Sequence, residues 1–86
     1  MKKEDLKKKV KELTLMLLHL TSWEENELGT KYRRSWKGYD FGILNELTDE
    51  DLIRGGHRSK SVMITDEGMK KAEELLKQYA IKVTNT

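Results

Sequence analysis

The segment from residue 52 to residue 65 constrains the fold more than any other part of the chain. It predicts two short strands, Leu52–Arg54 and Ser61–Thr65, and in the second of them Val62 and Ile64 alternate with Ser61 and Met63, the period of a half-buried strand. Between them, Gly55-Gly56 supplies the backbone freedom that a tight reversal needs. Thr65 has the side chain of a helix N-cap and is followed by acidic residues that favour a helix start. The segment therefore predicts a β-hairpin that runs directly into a helix.

Heptad-like apolar seams predict the first and last helices. The first helix is expected over residues 4–21, where apolar residues recur at spacings of 4, 3, 4 and 3. The last is expected from Asp66 to about Ala80, with a similar seam. Helices with such seams pack together within a subunit or across a dimer. We expect a homodimer through Leu6, Val10, Leu13, Leu17, Met69, Leu76 and Tyr79.

The middle of the chain is predicted to hold a short helix, a polar connection and a longer helix. Ser22 and Glu25 have the spacing of a capping box, which predicts a helix over residues 23–28. Residues 30–35 are interpreted as a polar connection that is rich in basic residues. The next helix is expected over residues 36–47, although its two glycines weaken it by about 1 kcal/mol each relative to alanine.

Length and composition limit the size of the core and the class of partner. A chain of 86 residues forms one domain, residues 1–86, and buries about 60–65% of its unfolded surface. Seventeen basic and 15 acidic residues leave a net charge of +2, which does not by itself argue for nucleic acid. The longest apolar-rich run spans residues 13–20, whereas a transmembrane helix needs about 20 residues. We expect a soluble, cytoplasmic protein that does not engage a membrane.

Residues that carry catalysis are scarce, so an enzyme is not expected. The chain has no cysteine and two histidines, His19 and His57. His19 is interpreted as a packed or helix-edge residue and His57 as a solvated residue of the hairpin tip, so neither a metal site nor a cofactor is expected. Gly55-Gly56 is not followed by a helix start, as a phosphate-binding loop would be. No catalytic residue is predicted.

Two clusters of cationic residues point to nucleic acid instead. The first precedes and begins the helix expected over residues 36–47, the second lies on the hairpin, and neither stretch contains an acid. The helix start would enter the major groove of a duplex, and the hairpin would touch the phosphate backbone. Aromatic side chains could stack on bases, but in so small a chain we expect most of them to pack in the core. The predicted DNA-binding residues are Lys31, Arg33, Arg34, Ser35, Lys37, Tyr39, Arg54, His57, Arg58 and Lys60.

A protein-interaction module that does not bind DNA is the alternative interpretation. Asp40 and Glu46 would lie on the helix that reads DNA, where acids repel phosphate. A continuous positive face would favour DNA. A face interrupted by these two acids would favour an unknown protein partner.

From Trp36 to about Tyr79 the chain resembles winged-helix repressors of the PadR and MarR kinds. The matching residues are Ile43-Leu44, Leu47, Leu52-Ile53, Arg54, Arg58 and Ile64-Thr65-Asp66-Glu67-Gly68. Those repressors usually have a glycine where this chain has Asp51. The resemblance implies an α+β, mostly helical winged helix with a two-stranded wing and a C-terminal helix, and a dimeric, DNA-binding transcriptional regulator.

Over nearly its whole length the chain is also similar to an uncharacterised bacterial family of small winged-helix-like proteins. Two runs carry this similarity, Leu13–Trp23 and Arg34–Phe41. This second resemblance implies a fold and no assigned activity.

Overall fold

The computed structural model describes residues 3–55 and 59–82. Within these ranges the elements in chain order are α1 (Lys3–Leu20), β1 (Trp23–Glu27), β2 (Thr30–Trp36), α2 (Phe41–Asp49), β3 (Ile53–Arg54), β4 (Ser61–Ile64) and α3 (Asp66–Gln78). The strands form one antiparallel sheet in the order β1-β2-β4-β3. The chain is therefore α+β, as predicted.

The core lies between one face of the sheet and the three helices. Ile53, Val62 and Ile64 occupy this inner face and are buried. The helices cover them with a continuous apolar cluster, to which they contribute Leu15, Met16, Leu18, Ile43, Leu44, Leu47, Ala72, Leu75 and Leu76. Because all three helices pack on the same side, the opposite face of the sheet is left uncovered by the described residues.

Helix α1 begins and ends within one residue of its predicted bounds, but its buried side differs from the expected one. Leu15, Met16 and Leu18 enter the core, whereas the heptad-like residues stay on the surface. We call the latter the α1 stripe: Leu6, Val10, Leu13, Leu17 and Leu20, each between 39% and 54% exposed. The predicted packing of the first helix against the last is present within the subunit, where the Tyr79 hydroxyl donates to Glu12 Oε1 at 3.1 Å.

The helix predicted over residues 23–28 and the connection predicted over residues 30–35 are both wrong. Strands β1 and β2 form a hairpin there, with Trp23 opposite Arg34 and Glu27 opposite Thr30. Their two-residue turn, Leu28-Gly29, has φ angles of 53° and 81°, the left-handed pair that suits a tight antiparallel hairpin. Pairing with β2 gives backbone groups of β1 hydrogen-bond partners, and this pairing overrides the local capping signal.

The predicted helix N-cap Ser22 closes the preceding helix instead. Its hydroxyl donates to the carbonyl oxygen of His19 at 2.6 Å. This hydrogen bond satisfies one of the carbonyl groups that are left without an intrahelical partner at the end of α1. The chain then turns directly into β1.

Helix α2 starts five residues later than predicted. Trp36 ends β2, and the N-cap of α2 is Asp40, whose carboxylate accepts from the backbone N–H of Ile43 at 3.2 Å. Helix α2 is tied to α1 by two ion pairs, Lys7–Glu46 at 3.6 Å and Lys11–Glu50 at 2.8 Å. The hydrogen bond from Lys11 to Glu50 raises the pKa of that lysine.

The strands of the second hairpin and the last helix agree with the prediction, and Gly56 of the predicted Gly55-Gly56 reversal lies outside the described residues. Strands β3 and β4 pair antiparallel, with Ile53 opposite Ile64. Thr65 is the N-cap of α3, because its hydroxyl oxygen accepts from the N–H of Gly68 at 2.9 Å. The same hydroxyl donates to the Asp51 carbonyl at 2.7 Å, which fixes the helix start against the approach to β3. In the described part of the chain, no helix has both the length and the apolarity to cross a bilayer.

Gly68 is the position at which a side chain is least tolerated. A Cβ atom there would overlap the backbone carbonyl oxygen of Leu52. We expect Gly68→Ala to lower the free energy of unfolding by about 3 kcal/mol or more, although alanine favours a helix by about 1 kcal/mol. Gly38→Ala is the matched control, because a Cβ at Gly38 has no neighbour within 4 Å. Urea unfolding followed by circular dichroism measures both; equal losses would contradict the close approach.

The Leu28-Gly29 turn provides a second test. Leu28 is fully exposed and has a left-handed backbone, which leucine disfavours and asparagine tolerates. We expect Leu28→Asn to raise the free energy of unfolding by about 0.5–1 kcal/mol, because it relieves the turn and removes no packing. Leu28→Val should lower it, since β-branched residues fit this conformation poorly. Asparagine and valine variants of equal stability would argue against the turn.

Candidate nucleic-acid interface

The uncovered face of the sheet gathers side chains that are far apart in the sequence. Alternate residues of a strand point to the same face, and the strand register aligns these sets. We call this surface the outer sheet face: Trp23, Glu25, Glu27, Thr30, Tyr32, Arg34, Trp36, Arg54, Ser61 and Met63. Each of these side chains is at least partly exposed. The surface combines aromatic rings with cationic and anionic groups.

Two tryptophans of the outer sheet face contact each other. The ring centroids of Trp23 and Trp36 are 5.0 Å apart, with the planes tilted by 48°. Trp36 is 63% exposed, and the Nε1–H of Trp23 donates to Glu25 at 2.9 Å. An indole is large and apolar, so such exposure leaves stacking surface open to solvent.

Arg34 lies at the centre of this face and is held in place by β4. Its Nε donates to the Ser61 hydroxyl at 2.8 Å, and its Nη2 donates to the Ser61 carbonyl at 3.2 Å and to the Ser59 hydroxyl at 3.3 Å. The guanidinium carbon is 5.9 Å from the centroid of the Tyr32 ring, within the range of a cation–π contact. The hydrogen bonds fix the cation beside the aromatic rings.

Charge on the outer sheet face runs from one edge of the sheet to the other. The acids Glu25 and Glu27 lie on the edge strand β1, whereas Arg54 lies on the opposite edge strand, β3. The Tyr32 hydroxyl donates to Glu27 at 2.7 Å, and this hydrogen bond raises the pKa of the tyrosine. An anionic ligand would therefore be favoured over β2, β4 and β3 rather than over β1.

The first predicted cationic cluster is divided between the two faces of the sheet. Arg34 lies on the outer face, but Lys31, Arg33 and Ser35 belong to the inner one. Arg33 donates from Nη2 to the Ser22 carbonyl at 2.7 Å and so ties β2 to the end of α1. Ser35 is 1% exposed and shares a hydrogen bond of 3.0 Å with the Thr21 hydroxyl, so it is not accessible to DNA.

The next two predicted residues, Lys37 and Tyr39, follow β2 and precede α2. Tyr39 packs against the core cluster, so its ring is only partly available. The backbone N–H of Lys37 donates to the Lys60 carbonyl at 3.1 Å, which continues the pairing of β2 with β4 by one step. This backbone hydrogen bond brings Lys37, at the end of the first cluster, next to Lys60 of the second cluster.

Of the second cluster, the structure describes Arg54 and Lys60. Arg54 forms an ion pair with Asp51 at 3.1 Å, and Lys60 is exposed. His57 and Arg58 lie outside the described residues. Arg34 of the first cluster bonds to Ser59 and Ser61, the residues on either side of Lys60.

An open cleft of about 470 Å³ adjoins this surface where β2 extends past the end of β4. Lys31, Arg33 and Arg54 line it together with the acids Glu24 and Asp66. Opposite charges are therefore mixed within the cleft, and its lining does not indicate one sign of ligand charge.

From the sequence, most aromatic residues are expected to pack in the core, whereas both tryptophans and Tyr32 lie on the outer sheet face. Tyr32, Arg34 and Trp36 alternate with Arg33 and Ser35, a period of two that is typical of a strand. This period was the signal that could have placed the two aromatic residues beside Arg34. Neither face of β2 is continuously apolar, so a search for alternating apolar and polar residues does not reveal this strand.

Comparison with known proteins places the chain in a family. Residues 6–82 match the model of a domain of unknown function, DUF6429. The chain belongs to the DUF6429 family. The uncharacterized protein y4hR of Sinorhizobium fredii (strain NBRC 101917 / NGR234) is 35% identical over 71 residues, which cover 81% of this chain and 86% of that relative. No solved structure matches the chain. The predicted membership of an uncharacterised family is confirmed, and the resemblance to PadR and MarR repressors stays a prediction.

Proposed function

We propose that the chain is a non-catalytic, DNA-binding regulator of the winged-helix type, with β3, β4 and their connection as the wing. One observation carries the proposal: Arg34, from the first predicted cluster, bonds to Ser61 and Ser59 at the base of the hairpin that carries the second. Of the described cations, Arg34 and Arg54, which are distant in sequence, both lie on the outer sheet face. Neutralisation of several phosphates by one surface is the main source of non-specific DNA affinity.

The order of elements around the wing supports this proposal. Strand β4 lies between β2 and β3, α2 precedes the wing, and α3 follows it at once. Asp51 has a φ of 59°, the left-handed conformation that glycine adopts most easily. The PadR and MarR repressors usually have glycine at this position. The backbone at Asp51 therefore adopts a conformation that glycine would adopt easily.

The proposed contact differs from the one expected from the sequence. Helix α2 contains no lysine or arginine, and the Asp40 carboxylate occupies its N-terminus, where a phosphate would otherwise be attracted. We therefore assign the contact to Arg34, Lys60 and the wing, with little base reading by α2. The acids Glu46 and Glu50 of the α2 region form ion pairs with lysines of α1, which reduces their repulsion of phosphate.

A homodimer through the α1 stripe forms part of the proposal. The stripe is exposed along the whole helix, and apolar residues at heptad-like spacing pair well with a second helix. Leu76, expected at the same interface, is 5% exposed within the core and is not available to a partner. Met69 and Tyr79 pack against the core cluster. The interface therefore consists of α1 residues.

The alternative function is a protein-interaction module. It is favoured by the same α1 stripe, because a contiguous exposed apolar surface is typical of protein interfaces. Under this interpretation the partner would be a different protein and the cationic residues would serve only as a solvated surface. Tests of DNA binding and of self-association separate the two functions.

DNA binding is tested by titrating the protein into labelled mixed-sequence duplex and following fluorescence anisotropy at two salt concentrations. We expect a Kd of about 10⁻⁴ to 10⁻⁶ M that weakens steeply with salt, because phosphate contacts release counterions. Arg34→Ala and Arg58→Ala should each reduce the affinity. Lys70→Ala, which removes an exposed cation from α3, is the matched control. Absence of binding even at low salt would contradict the proposal.

The dimer is tested by sedimentation velocity on the wild type and on Leu13→Lys. Leu13 is 46% exposed, so the variant should fold, but a lysine in the stripe would place a charge in the apolar contact. We expect a concentration-dependent dimer for the wild type and a monomer for the variant. Leu28→Lys, on the exposed hairpin turn, should leave the dimer intact. A wild type that is monomeric at every concentration would exclude this interface.

A further inference from the structure

We propose that the outer sheet face binds unpaired nucleotides of a single-stranded nucleic acid. Bases would stack on Trp36, Trp23 and Tyr32, and Arg34 would contact the sugar-phosphate backbone or a base plane. This inference takes only the class of ligand from the proposed function, and it names the form of nucleic acid that this face accepts.

Exposure of the aromatic rings is the first argument. In a chain of 86 residues with a small core, both tryptophans lie on the outer sheet face rather than in the core cluster. Trp36 contacts the ring of Trp23 but leaves 63% of its surface exposed, so it still offers a planar apolar surface to a ligand. Water solvates such a surface poorly, and a flat aromatic ligand would remove it from water.

Spacing along β2 is the second argument. Tyr32, Arg34 and Trp36 occupy alternate positions of one strand, so successive side chains are about 7 Å apart. Each therefore can meet a different nucleotide of an extended strand. Single-stranded nucleic acids are commonly bound on such sheets, where bases stack on aromatic rings and on arginine guanidinium planes.

The charges on the outer sheet face indicate where the sugar-phosphate backbone of the bound strand would run. Glu25 and Glu27 lie on β1 and accept hydrogen bonds from Trp23 and Tyr32, so phosphates would be repelled from that edge. Arg34 and Arg54 lie on β2 and β3. We place the phosphates above β4, between the two arginines, with the bases directed toward the aromatic rings.

A duplex cannot use the aromatic rings of this surface. Its bases are paired and stacked within the helix, so they are not available to indole rings without being unstacked. By itself, without the wing cations that the proposed function assigns to a duplex, the face carries two acidic and two basic side chains and attracts a duplex only weakly. Stacking, which single strands permit, has to provide most of the affinity.

The two tryptophans allow a direct test, because the outer sheet face contains every tryptophan of the chain. Oligodeoxythymidine of about 12 nucleotides is titrated into the protein and tryptophan fluorescence is followed. We expect strong quenching, with a slope of log affinity against log salt of about −1.4 for two phosphate contacts. Inorganic polyphosphate, which has charge but no bases, should not quench.

Variants locate the binding. We expect Trp36→Ala to weaken oligothymidine binding about tenfold or more, measured by anisotropy of a labelled oligonucleotide. Phe41→Ala is the matched control, since Phe41 is also highly exposed but lies at the start of α2. Circular dichroism verifies the fold of each variant. If Trp36→Ala does not fold, Arg34→Gln tests the same face and should also weaken binding.

The outcomes separate this inference from the proposed function. Duplex binding without quenching by oligothymidine would overturn the inference and leave the proposed function standing. Quenching by oligothymidine without duplex binding would support the inference and contradict the duplex regulator. Equal affinities for Trp36→Ala, Phe41→Ala and the wild type would place the contact elsewhere and overturn the inference.

Discussion

The pairing of β2 with strands on both of its sides is the constraint on which the rest of the molecule depends. Strand β2 pairs with β1 on one side and with β4 on the other. Because its side chains alternate between the two faces of the sheet, it decides which residues face the helices. On the inner side, Ser35 and Arg33 bond to the end of α1 and orient that helix over the core. On the outer side, Arg34 bonds to β4 among aromatic rings. The same seven residues thus build the core boundary and the candidate site.

Elements whose signals are local could be predicted from the sequence. Helix α1 has an apolar period over five turns, and α3 has Thr65 at its N-cap, so both were located within two residues. The β3–β4 hairpin follows from Gly55-Gly56 and the alternation after it. In each case the residues that specify the element are neighbours in the chain, and the fold does not have to be known first.

The β1–β2 hairpin and the candidate site depend on contacts that the sequence does not display. Leu28-Gly29 lacks the Asn-Gly signal of a tight hairpin, although its backbone adopts that geometry. Ser22 and Glu25 imitate a capping box, and β1 has no apolar alternation. Without β2, the sequence groups Lys31, Arg33 and Arg34 into one cationic cluster because they are close along the chain. A strand instead places adjacent residues on opposite faces of the sheet and alternate residues on the same face. Arg33 therefore contacts the end of α1, whereas Arg34 lies on the outer sheet face.

The proposed dimer and the outer sheet face are compatible because they lie on different sides of the core. Helix α1 contributes Leu15 and Leu18 to the cluster beneath the inner face, and its stripe points away from that cluster. A second copy on the stripe would therefore leave both outer sheet faces open. Two such faces on one dimer would engage a single nucleic-acid chain with an effective concentration set by the dimer geometry. Weak contacts by each face would then combine into a tighter, bivalent interaction.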